Sequence, residues 1–136
     1  MKTLPQTCEQ CLELYSKALE ELELYAQRAK KLNSDESNRE LIINFEITHE
    51  LALKLMGKYF EKMGKSPFTG SRNLTAEAFH ADLIDDGKAW LDIVIDRIKY
   101  NPVYELDAQH DFLDRIQKDY IPLLEKFEDN MSKKLN

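Results

Sequence analysis

Residues 42–63 read IINFEITHELALKLMGKYFEKM, and this stretch decides the fold class. Ile42, Phe45, His49, Ala52, Met56, Tyr59 and Met63 recur every three or four positions, the period of an α-helix. Ile43, Ile47 and Leu51 widen that stripe. An apolar surface so broad is expected of a helix packed on more than one side. Just upstream, Ser37-Asn38-Arg39-Glu40 has the form of a capping box, so the helix is expected to open there. Downstream, Gly64 is the expected C-terminal cap.

The helical period extends outward in both directions. Toward the N-terminus Cys8, Cys11, Leu12, Tyr15, Leu19, Leu22, Tyr25 (or Ala26), Ala29 and Leu32 form one stripe, with Glu13, Glu20 and Glu21 between them. Arg28, Lys30 and Lys31 suit the negative end of that helix, and Asn33-Ser34-Asp35 breaks it. Past Gly64, Lys65 to Arg72, with Pro67 and Gly70, reads as the longest loop. Asn73 is expected to cap a short helix reaching about Ala81. After the break at Asp85-Asp86-Gly87, Trp90, Leu91, Val94 and Ile98 give the face of a third principal helix. That helix must end near Tyr100, because Pro102 pushes Asn101 out of the helical region. The last helix is expected from near Leu106, with Leu106, His110, Leu113, Ile116, Tyr120, Leu124, Phe127 and Met131 inward and a kink at Pro122. The expectation is an all-α fold: an antiparallel up-and-down four-helix bundle with one short additional helix, in a single domain over residues 1–136.

The chain has 136 residues, enough for one domain. Nineteen Lys and Arg stand against 25 Asp and Glu, a net charge of -6. That balance argues against nonspecific nucleic-acid binding, which needs surplus cations to displace counterions. Four glycines and four prolines are too few for the turns of a β-sandwich. No apolar run approaches the ~20 residues of a membrane span, and MKTLPQTCEQ at the start lacks the apolar core of a signal peptide. A cytoplasmic protein is expected, with Cys8 and Cys11 reduced.

Several motifs have competing readings. Cys8-Glu9-Gln10-Cys11 has no βαβ context for redox work and no further zinc ligands, so core packing is the better reading. Gly64-Lys65-Ser66 lacks the upstream glycine of a phosphate-binding loop and follows a helix. Glu46-x-x-His49 resembles half of a di-iron bundle motif, with Glu77-x-x-His80 and Asp107-x-x-His110 as apparent second copies. The first helix offers no inward Glu, so a partly buried His49 with a hydrogen-bond partner is expected and no metal is. Lys54, Lys58, Lys62 and Lys65 form a basic line that reads as a solvated face, with Glu50–Lys54 and Glu61–Lys65 as ordinary helix pairs. A phosphate or an acidic partner is the alternative. The remaining cluster is Asp96, Arg97, Tyr100, Asn101 and Tyr104, where a helix terminates. Arg97 lies close to the apolar face and needs a partner, either Asp96 or a tyrosine hydroxyl. A binding site and a structural ion pair both fit.

Two segments carry a family resemblance. Phe45-Glu46-Ile47-Thr48-His49-Glu50-Leu51-Ala52-Leu53-Lys54 resembles the F-E-x-T-x-E-L-A-x-K segment of the nucleotidyltransferase substrate-binding-protein family. Ala78-Phe79, Leu83-Ile84-Asp85-Asp86-Gly87, Trp90-Leu91 and Asp96-Arg97 resemble its second signature in order and spacing. The resemblance covers nearly the whole chain. It implies a bundle of the HEPN type, usually a homodimer, similar to the C-terminal domain of kanamycin nucleotidyltransferase. It also implies a minimal nucleotidyltransferase, encoded nearby, as partner, with the nucleotide and Mg bound by that partner and no cofactor in this chain.

Some members of the family are RNase toxins in which an arginine precedes a catalytic histidine and a tyrosine that the transferase nucleotidylates. Arg97 matches the arginine and Tyr104 the tyrosine, but the histidine position holds Pro102, which has no group to transfer a proton. The resulting expectation is a non-catalytic substrate-binding subunit with no catalytic residues and no metal site of its own. Asp96, Arg97, Asn101 and Tyr104 are its candidate substrate- or partner-binding residues, and Tyr104 its candidate nucleotidylation site. The alternative is a HEPN-type RNase toxin of a toxin–antitoxin pair.

Overall fold

A computed structural model describes residues 7–65, 68–100 and 109–135. Among them the regular structure is entirely helical, without a strand. Helix α1 (Cys8–Leu32) opens with a capping box: Thr7 accepts from the Gln10 N–H while the Gln10 side chain accepts from the Thr7 N–H. It closes at Asn33, which takes the left-handed conformation (φ 43°) that asparagine tolerates. Ser34 then caps α2 (Asp35–Lys62), with Ser37 completing the reciprocal pair of bonds. The helix therefore starts earlier than the expected Ser37–Glu40 box, and Ser37 is buried inside the first turn. Two residues separate α1 from α2, and the helices run antiparallel. Glu9 at the start of α1 pairs with Lys62 at the end of α2, and Arg28 lies 4.0 Å from Glu40 at the other end.

Gly64 ends α2 as expected, at φ 76°. The Lys65 N–H bonds the Phe60 carbonyl at 2.9 Å and the Gly64 N–H bonds the Glu61 carbonyl at 3.1 Å, a Schellman closure. Helix α3 (Ser71–His80) begins after Gly70 rather than at Asn73, whose side chain instead donates to the Thr69 carbonyl. Asp86 caps α4 (Gly87–Lys99) by accepting from the Ala89 N–H at 3.0 Å. Gly87 admits the Phe79 ring: a Cβ there would lie 2.9 Å from it. Helix α5 (His110–Arg115) passes through a wide π segment (Ile116–Tyr120) into α6 (Ile121–Lys134). The irregularity expected at Pro122 thus lies in the turn before it, where the Ile121 N–H reaches back to the Ile116 carbonyl. Pro122 itself sits in the first turn of α6, where its missing N–H does least harm. Leu106, the expected start of this helix, lies outside the described residues.

The interior is aromatic. Trp90, Tyr15, Phe45, Phe60, Phe112 and Phe127 are fully buried, and burying such a side chain is worth roughly 1.5–3 kcal/mol. Trp90 and Tyr15 each meet Phe127 edge-on at 5.4 Å. The Tyr15 hydroxyl donates to the Leu124 carbonyl at 2.7 Å, and Gln117 donates to the Ala26 carbonyl at 3.0 Å. Position 15 meets 124 and position 26 meets 117, so α1 runs antiparallel to the last helical stretch.

The α1 stripe is as expected, except that Leu12 and Tyr25 are half-buried and Leu32 is exposed. On α2 the buried face is displaced toward Leu41, Thr48, Leu53, Leu55 and Phe60, leaving Ile43, Ile47 and Met63 about half exposed. On α4, Ile93 is buried, Leu91 half-buried and Ile98 exposed. On α5 the inward residue is Phe112, while His110 is exposed. Cys8 and Cys11 are buried free thiols, and burial pushes Cys8 up to about 11. They pack the core, and burial holds both in the thiol form. Among the described residues no helix is long and apolar enough to cross a membrane.

Candidate functional site

Asp96 and Arg97 are consecutive on α4, and helical geometry turns their side chains about 100° apart. Arg97 points to α2. Its Nη1 donates to Glu50 Oε1 at 2.6 Å and to His49 Nδ1 at 2.8 Å, and its Nε lies 3.6 Å from Glu46 Oε2. Glu46, His49 and Glu50 occupy positions i, i+3 and i+4, one face of α2. The Arg97 and Glu46 side chains are about one-fifth exposed, while Glu50 reaches into solvent at 62%. Two carboxylates around one guanidinium leave the cluster with a net negative charge.

His49 lies inside this cluster, 1% exposed, between the Phe45 ring stacked at 6.3 Å and the Trp90 ring at 6.0 Å. Burial, reinforced by the Arg97 charge, pulls its pKa down to about 3, so the ring is neutral. Because a guanidinium only donates, Nδ1 must accept and the proton resides on Nε2. That Nε2 is buried with no hydrogen-bond partner among the described residues. Burial raises the Glu46 pKa and Arg97 partly offsets the rise. The partner expected for His49 is thus Arg97. A guanidinium on the Nδ1 lone pair is incompatible with a metal there, and among the described residues no three His, Cys, Asp or Glu side chains are grouped to hold one.

Asp96 points away from Arg97, correcting the expected pairing of the two. Its carboxylate receives Arg115 Nε at 2.7 Å and Nη2 at 3.1 Å, and the Tyr120 hydroxyl donates to it as well. Arg115 Nη2 also lies 3.4 Å from the Tyr100 hydroxyl, and the guanidinium sits over the Tyr100 ring at 5.6 Å. The bond to Asp96 raises the Arg115 pKa; burial, then Asp96, raises that of Tyr120. The Tyr100 and Tyr120 hydroxyls therefore serve the Asp96–Arg115 pair and not Arg97.

The geometry separates two assemblies: Arg97 with Glu46, His49 and Glu50, and Asp96 with Arg115, Tyr120 and Tyr100. Asn101, Pro102, Tyr104 and Asp107 lie outside the described residues. Sequence reasoning missed Glu46 and Glu50 as partners of Arg97, and missed Arg115 altogether. One signal for Arg115 was available. Ile93, Asp96 and Tyr100 share one helical face, so an aspartate there demands a cation from a neighbouring element. The two helix pairs expected along the basic line do not form either, since Glu50 goes to Arg97 and Glu61 lies 3.7 Å from Lys58.

No curated protein matches the chain. A family model described as "nucleotidyltransferase substrate binding protein like" matches residues 10–133, a span that contains both assemblies. The chain belongs to the nucleotidyltransferase substrate binding protein like family.

Proposed function

We propose that the chain is the non-catalytic substrate-binding subunit of a separately encoded minimal nucleotidyltransferase. It acts as a homodimer in the cytoplasm, and the partner supplies the nucleotide and Mg chemistry. Membership of the family over residues 10–133 is the observation that carries this reading. Pro102 supports it, because the position where related RNase toxins carry a catalytic histidine holds a residue that cannot move a proton. The engagement of Arg97 by two carboxylates supports it further, since a neutralised guanidinium is poorly disposed toward RNA phosphates.

The whole chain is read as one domain, an antiparallel up-and-down four-helix bundle of the HEPN type, similar to the C-terminal domain of kanamycin nucleotidyltransferase. The antiparallel courses of α1 against α2 and of α1 against α6 support that topology. Within the site, Glu50 forms the edge of the cluster that solvent reaches, and Arg97 stands behind it with about one-fifth of its side chain exposed. Asp96 positions the end of α4 through Arg115. Asn101 and Tyr104, which follow α4 directly, contact the substrate or the transferase, and Tyr104 is the residue open to nucleotidylation.

Co-expression of the full chain with the transferase encoded beside it tests the proposal. Co-elution of the two in one complex is expected. Two folded proteins that elute separately would sink it. Cleavage of RNA by the purified chain, lost in Arg97→Ala, would replace it with the toxin reading.

A further inference from the structure

On α2, Lys54, Lys58 and Lys62 recur at every fourth position, and Lys65 follows just past the helix end. In an isolated helix Glu50 would neutralise Lys54 and Glu61 would approach Lys65. The fold prevents both. Glu50 is held by Arg97 at 2.6 Å, and Glu61 turns to Lys58 at 3.7 Å. Neither Lys54 nor Lys65 forms an ion pair among the described residues. In a chain of net charge -6, two cations without a carboxylate partner, Lys54 and Lys65 (whose Nζ lies over the Phe60 ring at 5.5 Å), line one hollow and locally reverse the sign.

That hollow has a volume of about 320 Å³, within the range of small-molecule sites. Its rim carries Lys54, Lys58 and Lys65, with Glu61 beside Lys58, and its floor is Gly57, Phe68 and Leu74. The Phe68 ring is fixed edge-on against Phe60 at 5.1 Å. Gly57 sits in the interior of a 28-residue helix. It does not have positive φ, and a Cβ added to it would meet nothing within 4 Å. Neither backbone nor packing requires a glycine here, although glycine weakens a helix relative to alanine. What its missing side chain does is leave the floor open.

We propose that this hollow binds a small phosphorylated ligand with a flat apolar body. The lysines take the phosphate as point charges, and the flat portion lies over Gly57 against Phe68 and Leu74. A polymeric nucleic acid is the wrong occupant, because the acidic chain around the hollow and Glu61 on its rim repel a continuous run of phosphates. The inference is independent of the transferase reading and survives if that reading fails.

Titration of the full chain with 2-naphthyl phosphate, followed calorimetrically at low salt, tests it, with 2-naphthol and inorganic phosphate as the separated halves. Naphthyl phosphate is expected to bind about tenfold or more tighter than either half, since both parts of the hollow then contribute. Lys54→Ala/Lys65→Ala should weaken it about tenfold and make its salt dependence shallower. Gly57→Leu should abolish binding while the far-ultraviolet circular dichroism is retained, because leucine is the better helix former. Absence of binding at millimolar probe, unchanged affinity in both variants, or equal binding of naphthol overturns the proposal. Binding of an acidic peptide without naphthyl phosphate overturns it too, and makes the hollow a protein-docking site.

Discussion

Asp96 and Arg115 form a two-pronged ion pair, Nε to Oδ2 at 2.7 Å and Nη2 to Oδ1 at 3.1 Å, that ties the end of α4 to the end of α5. Among the described residues Asp96 is the buried carboxylate, at 7% exposure, so its solvation has been exchanged for this one cation and the Tyr120 hydroxyl.

Removing one member should leave the other stranded. Breaking a fully buried pair costs about 3–5 kcal/mol, and the partial exposure of Arg115 reduces that to about 2–3 kcal/mol for Asp96→Asn or Arg115→Met. The two losses should be strongly non-additive in the double variant. Urea unfolding measures this, and single-variant losses under about 0.5 kcal/mol would show that the pair is not a clamp.

His49 should remain neutral throughout the physiological range. Its pKa falls from 6.5 in a free side chain to about 3 in the fold, so the unfolded chain binds its proton first. The stability tied to this ring is present above pH 6.5 and is lost progressively as pH falls toward 3. Proton NMR of the ring should show no titration between pH 8 and 5. A midpoint near 6.5 would mean that the ring is not buried against Arg97.

Glu23 carries the opposite sign. A hydrogen bond shared with Glu125, with burial adding to it, raises its pKa from 4.5 to about 7. A raised folded pKa stabilises below the unfolded value, and this contribution is lost as pH rises from 4.5 through 7. Glu23→Gln should therefore raise the melting temperature at pH 8 and flatten the decline between pH 5 and 8. An unchanged pH profile in the variant would disprove the shared proton.

Two helical glycines should respond in opposite directions to alanine. At Gly57 nothing obstructs a Cβ, so Gly57→Ala should stabilise by about 0.5–1 kcal/mol through helix propensity alone. At Gly87 the Cβ would press on the Phe79 ring at 2.9 Å, so Gly87→Ala should destabilise by about 1 kcal/mol. Thermal melts of the two variants compare them directly, and shifts of the same sign would contradict this account of both sites.

The sequence made the helices legible where one period dominated and a stop signal was chemical: the α1 stripe, Asn33, Gly64, Asp86 and the end at Tyr100. It misplaced faces where apolar residues surround the helix. On α2, Ile43 and Ile47 compete with Leu41 and Leu55, and only the position of α1 and the other helices packed on α2 decides between them. The cap at Ser34 was hidden because serine, not glutamate, completes the box. Of the site, Arg97 was legible as a cation needing a partner, yet its partners Glu50, His49 and Glu46 lie 47, 48 and 51 positions away on α2. Helical periodicity carries no information about contacts so distant. The π segment was legible only as a disturbance near Pro122, since widening the preceding turn is one of several ways to admit a proline.

The two-residue connection at Asn33 and Ser34 bears on the order in which the chain assembles. A closure so short costs little loop entropy, and both of its ends carry their own caps. The α1–α2 hairpin is therefore the part of the chain expected to form first, with α4 and α6 condensing onto it and Arg97 reaching its carboxylates only in that later step. On a folding pathway of this kind, truncating Leu22 or Leu41 slows folding, whereas altering Arg97 or Asp96 mainly speeds unfolding.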